Sequence, residues 1–221
     1  MPQGASTAVH DDPMARRPAS RTEQGFARVV NFSDAVVAIA ISLLILPVVD
    51  DVSQVAGSSA RDVFRDNGDR LFAFVLSFVV IARHWVAHHE IFDRVGGYSS
   101  ALLWANLLWL LTIVFIPVPT ELLGVRGTSE AFVRFVYIGS VLATSLALLL
   151  VQLIVDRTPG LRLEPDAPRD PAGLMYVTPG LLLLALALGV TVPAIGMWAM
   201  LLLFLSGPVS SRIEARSAAV G

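Results

Sequence analysis

The sequence predicts an all-α integral membrane protein with six transmembrane helices per chain, and three observations carry that prediction. Of the 221 residues, 55% are hydrophobic and 15% charged, where a soluble domain carries about 25% charged. The charges are also bunched: none falls between Asp34 and Asp50, Arg94 and Glu121, Arg134 and Asp156, or Asp170 and Arg212. Several of these runs reach the roughly 20 helical residues, at about 1.5 Å each, that a bilayer core of about 30 Å requires. A chain of this length has no core large enough to cover such runs, which argues against a soluble enzyme. The 16 arginines, with no lysine, face 18 acidic residues for a formal charge of −2. That near balance gives no electrostatic case for a nucleic-acid partner. The chain has no cysteine, so disulfides, iron–sulfur clusters, thiolate zinc sites and cysteine nucleophiles are excluded.

The first predicted span covers 28–49. Its uncharged part, Ala35 to Val49, is too short to cross alone, so the helix must take Phe32, Ser33 and Asp34 into the membrane with it. The second covers 70–92. Its apolar run, Leu71 to Ala82, is shorter still, and the helix continues past Arg83 and His84 through Trp85 to His88 and beyond. A re-entrant segment is the alternative there, but the helical period and the aromatic residues Phe72, Phe74, Phe78 and Trp85 suit a full crossing. The third and fourth, 97–120 and 132–155, lie in clear uncharged runs. The long uncharged run from Pro171 to Ser211 holds two short spans, 173–190 and 196–211, turning at Thr191 to Gly196 where proline and glycine interrupt a helix. Together these make one six-helix membrane domain over 26–211. Residues 1–25 read as a disordered cytoplasmic tail rather than a cleaved signal, because their first part contains no apolar run. Leu161 to Pro171 reads as a cytoplasmic loop and 212–221 as a cytoplasmic tail. With six spans and both termini inside, 11 arginines fall on the cytoplasmic side and 5 on the other, the sense of the positive-inside bias.

Polar groups at membrane depth are costly and default to a functional reading. In this topology Ser33 and Asp34 of the first helix, Trp85 and His88 of the second and Asn106 of the third come to a similar depth near the cytoplasmic face. Trp85 and His88, three apart, share one helix face, as do His84 and His88, four apart. The plain reading is a packing network that holds three helices in register. The sharper ones are a proton relay or a metal site. The run His88-His89-Glu90 is a poor metal site, because neighbours on a helix diverge by about 100°, and no His-Glu-x-x-His spacing is present. On the first helix, the same period puts Leu43, Leu46 and Ser42 within about 60° of Ile39. Ser33 and Asp34 fall on the far side, each more than about 100° from Ile39. That helix therefore has a polar face turned to its neighbours and a separate Ile/Leu stripe, which by composition alone suits lipid or core packing.

The string from Arg28 through Phe32, Ser33 and Asp34 to Pro47 strongly resembles the first helix of the transmembrane protein 175 family, whose hallmark is Arg-x-x-x-Phe-Ser-Asp. Phe78 to Phe92, with Trp85 and His88, and Asn106-Leu-Leu-Trp109 through Phe115-Ile-Pro117-Val-Pro119-Thr120 are similar to the second and third helices of that family. Beyond those helices the likeness is one of hydropathy. The resemblance implies a potassium-permeable channel of the prokaryotic, single-repeat, six-helix form. It further implies a homotetramer in the cell membrane whose first helices line a central pore. In the family an isoleucine five positions after the motif aspartate narrows the pore, which is Ile39 here. Further constricting positions fall on Leu43 and Leu46, and a hydroxyl position, often threonine in relatives, is Ser42. Arg28, Phe32, Ser33, Asp34, Trp85, His88 and Asn106 then form the motif and its inter-helix network. No cofactor or bound metal is implied beyond the permeant potassium, and the partners are copies of the same chain, the lipid bilayer and monovalent cations.

A ring of apolar side chains offers no oxygens, so an ion passing it keeps or squeezes its hydration shell, which favours the less strongly hydrated potassium over sodium. The chain has no Thr-Val-Gly-Tyr-Gly filter, so selectivity by a carbonyl cage is not available. The competing readings are a proton-coupled transporter using Asp34 and His88, and a non-transporting membrane scaffold. An intramembrane enzyme finds no nucleophile–base pair at a common depth.

Overall fold

A computed structural model describes residues 21–54, 67–158, 160–163 and 176–191, together with residues 59, 61 and 65. These residues form seven helices: α1 Arg21–Leu43, α2 Leu46–Gln54, α3 Gly68–Phe92, α4 Ser100–Phe115, α5 Pro117–Arg126, α6 Ala131–Arg157 and α7 Val177–Thr191. Four continuous segments are long and apolar enough to cross a membrane: Gln24–Asp51, Gly68–Phe92, Ser100–Arg126 and Ala131–Arg157. A shorter apolar helix covers Val177–Gly189. The expected span 196–211, most of the expected N-terminal tail and the whole of 212–221 lie outside the described residues.

Two of the four segments are broken helices, and proline breaks both. Pro47 has no N–H for the Leu43 carbonyl, so α1 ends there in a tightened turn, with Leu44 N–H donating to Ile41 O at 3.3 Å. Pro117 and Pro119 likewise cannot donate to the carbonyls of Ile113 and Phe115. The third segment therefore divides at Ile116, whose N–H turns back to Ile113 O at 3.1 Å. That segment also differs from its sequence-based bounds. It starts at Ser100, where Ser99 accepts from Leu102 N–H at 3.1 Å as an N-cap. It ends at Arg126, where Gly127 adopts the left-handed φ of +71° that terminates helices.

The core runs along α6. Tyr137, Ile138, Val141 and Val151 are fully buried, and α6 packs on α4 and α7 while α3 packs on α5. Its small polar residues satisfy themselves: Ser140 Oγ donates to Tyr137 O at 2.7 Å and Thr144 Oγ1 to Ser140 O at 3.0 Å. Short side chains of this kind let membrane helices approach closely. At the start of α6 the buried Arg134 spreads its guanidinium over three carbonyls. It meets Gly189 O in the last turn of α7 at 2.5 Å, and Thr128 O at 2.8 Å and Ser129 O at 2.6 Å in the preceding loop. The far end of α6 connects to the α3–α4 turn through an isolated bridge between Val95 and Arg162, with Gly96 N–H donating to Leu161 O at 2.8 Å.

Candidate functional site

α1 presents two faces with different surroundings. One seam, Ser33, Val37, Ala40, Leu44 and Val48, is buried against the bundle and continues in phase across the break into α2. The opposite face carries Phe32, Ile39, Leu43 and Leu46, exposed by 55, 61, 43 and 49% in the single chain. Ser42 is also exposed, and its hydroxyl donates to Ala38 O one turn back at 2.8 Å. The donated proton leaves the oxygen lone pairs of Ser42 as the part turned outward.

The buried seam begins in a chain of hydrogen bonds whose direction the acceptors fix. Ser33 Oγ donates to Val29 O at 2.9 Å, so it accepts from Asn106 Nδ2 at 2.8 Å. Asn106 Oδ1 therefore faces His88, and Nε2 of His88 must carry the hydrogen it donates at 2.8 Å. Three helices, α1, α3 and α4, are joined by this one amide. The His88 ring is clamped between Phe92 and Trp109, with centroids 4.1 Å away on each side, and Phe92 stacks in turn on Phe26 of α1 at 5.7 Å. Beside it Trp85 Nε1 donates to Asp34 Oδ1 at 2.8 Å, while the Trp85 ring stacks on His89 at 5.5 Å.

Of the residues singled out in the sequence, Ser33, Asp34, Trp85, His88 and Asn106 meet at one end of the bundle. Arg28 and Phe32 do not: both sit on exposed positions of α1. Asp34 and His88 are not bonded as a carrier pair, since Trp85 takes Asp34 Oδ1 and Asn106 takes His88 Nε2. His84 instead donates Nδ1–H to the Val80 carbonyl of its own helix at 2.8 Å. Among the described residues no group of three or more His, Cys, Asp or Glu is placed to hold a metal.

The opposite end of the bundle has features that the sequence did not flag. Thr120 Oγ1 donates to Ile116 O at 2.8 Å, so Ser77 donates to Thr120 at 2.7 Å and accepts from the Tyr137 hydroxyl at 2.9 Å, tying α3, α5 and α6. Beside Thr120 lies a narrow notch with about 30 Å³ of free space, between the Pro47 break and the Pro117 break. Arg70, Asp51 and Glu121 gather at its rim. Single hydroxyls and isolated charges carry no periodic signal, and the expected spans 28–49 and 97–120 ran unbroken across Pro47 and Pro117.

Residues 28–117 match the family described as the endosomal/lysosomal potassium channel TMEM175. A potassium channel of Streptomyces collinus is 38% identical over 100 residues, which are 44% of this chain and 47% of that protein. The endosomal/lysosomal proton channel TMEM175 of Homo sapiens is 30% identical over 118 residues, 52% of this chain and 23% of the human protein. The aligned region thus spans about half of the bacterial relative and a quarter of the human one. In three dimensions the chain matches the crystal structure of a lysosomal potassium-selective channel TMEM175 homolog from Chamaesiphon minutus. The TM-score is 0.60 and the identity 28%, over 88% of this chain and 98% of that one. Residues 28–117, which carry the Ser33–Asp34 network described above, are thus similar to the TMEM175 family, and the fold of the chain is similar to that of the Chamaesiphon homolog.

Proposed function

We propose that this chain is the subunit of a passive cation channel that favours potassium over sodium, assembled as a homotetramer in the cell membrane around four copies of α1. Ile39, Leu43 and Leu46 form its apolar constriction, an element that gates by dewetting, and Ser42 contributes a ring of hydroxyl oxygens beside it. The network of Ser33, Asp34, Trp85, His88 and Asn106 lies at the cytoplasmic end and orients α1, a topology with both termini inside that the arginine distribution supports. The observation that carries the reading is the division of α1. Ser33 and Asp34 are engaged inside the bundle, while a stripe of large apolar side chains is left for contact outside the single chain. The relatives named as potassium channels supply the ion.

The test is flux in proteoliposomes driven by a potassium gradient alone. A channel moves potassium with no co-ion, whereas the competing proton-coupled transporter stalls until a proton gradient is added. Ile39→Ala and Ile39→Asn should raise flux and blunt the preference for potassium. Unchanged flux and selectivity in both variants would remove Ile39 from the constriction.

A further inference from the structure

The hinge end of α1–α2 is held differently from the rest of the chain. Past the Pro47 break α2 faces the notch, and a charged contact spans that notch at its rim. Arg70, in the first turn of α3, pairs through Nη1 with Asp51 of α2 and lies 3.8 Å through Nη2 from Glu121 of α5. The Arg70 and Asp51 side chains are 24 and 23% exposed and Glu121 is 41% exposed. Gly124 is what allows Arg70 to sit there: a Cβ at that position would come within 2.8 Å of Arg70 Cγ and 3.3 Å of its Cα. The walls below are the side chains of Leu43, Leu44, Pro47 and Val48 on one side and Pro117 and Thr120 on the other. The helix therefore has a break to pivot on and a charged strap across a narrow gap.

We propose that Arg70 is a positioning residue for conduction: by holding Asp51 it draws α2 toward α3 and α5 and so keeps the mouth of the pore wide. This rests on the reading of α1 and α2 as the pore wall. The direction follows from geometry, since the pair lies on the bundle side of α2 and the exposed stripe on the other. With the strap released, α2 leans toward its symmetry mates and the path narrows. Glu121, farther away and half in solvent, acts as the weaker second partner.

The experiment is potassium flux in proteoliposomes with equal amounts of assembled protein. Arg70→Gln and Asp51→Asn should each lower flux by about two- to fivefold, the range a partly exposed ion pair can shift a two-state balance. Arg70→Lys and the exchange Asp51→Arg with Arg70→Asp should recover flux to within about twofold. Glu121→Gln should change flux less than Asp51→Asn. Unchanged flux in the single neutral variants, or a loss that the exchange fails to recover, would overturn the proposal. A second measurement covers poor assembly of those variants. The chain has no cysteine, so Asp51→Cys with Arg70→Cys can be bridged by a short bis-methanethiosulfonate linker that a reductant cleaves. Flux should be high when bridged and low after cleavage in the same vesicles; equal flux in both states counts against the strap. Ile39→Ala in parallel separates the two failures. If it alters flux while the strap variants do not, the strap inference falls by itself; if it too has no effect, the pore reading falls.

Discussion

The two ends of the α1–α2 segment are fixed by different physics. At one end, position is set by directional hydrogen bonds inside the bundle: Asn106 can bond His88 and Ser33 in only one orientation, and flat rings close over His88 from both sides. At the other, a proline has cut the backbone ladder, a notch separates the walls, and a partly exposed ion pair spans it. Hydrogen bonds between buried dipoles lose their value over a few tenths of an ångström and a few tens of degrees. A charge pair loses it gradually with distance. One end is therefore specified to a single arrangement, and the other tolerates displacement.

The largest expected effect comes from breaking the rigid end. Asn106→Leu keeps volume but strands the His88 N–H and the Ser33 oxygen in an apolar setting, at about 1–3 kcal/mol for each group left unpaired. The thermal transition of the detergent-solubilised protein should fall accordingly, with less intact oligomer recovered. A melting curve matching the parent would mean that the amide is not what fixes the three helices. Trp85→Phe is next: it removes the donor to Asp34 while retaining a ring against His89, and should cost about 1–2 kcal/mol in the same melt. Ser77→Ala tests the hydroxyl relay near the hinge and should cost about 1 kcal/mol, less than either change at the network. Pro47→Ala sharpens the comparison in another currency. It restores a donor for Leu43 O, so α1 and α2 should fuse into one helix with stability within about 1 kcal/mol of the parent but with altered potassium flux. The smallest change in stability belongs to Ser42→Ala, within about 0.5 kcal/mol because the hydroxyl is exposed and bonded to its own helix; its effect should be a lower potassium-to-sodium permeability ratio in bi-ionic recordings.

The rigid end could be read from the sequence and the hinge end could not, for a physical reason. Asp34, Trp85, His88 and Asn106 are conspicuous because each is a polar group within a predicted span, and the predicted topology brings them to one depth. What spacing did not give was the bonding pattern. Asp34 goes to Trp85 rather than to His88, and Phe92 and Trp109, ordinary aromatics in their runs, turn out to clamp the imidazole. At the hinge end, Pro47 and Pro117 were visible, but a proline within a turn of a helix start is tolerated as readily as one that ends a span. Only packing decides that both cut a continuous segment. Arg70 sits at the edge of its apolar run and reads as an ordinary flanking charge, while Ser77, Thr120 and Tyr137 lie on three separate helices. Four candidate membrane crossings of the expected six fall among the described residues.

Arg134 has a consequence for how the chain is made. Its guanidinium is satisfied in part by the loop just before it, through Thr128 and Ser129, and in part by Gly189, which is synthesised 55 residues later. Until α7 has emerged and docked, the nascent chain carries a cation at the head of α6 with its coordination incomplete. The carbonyl set of Arg134 is therefore complete only once α7 has packed against α6.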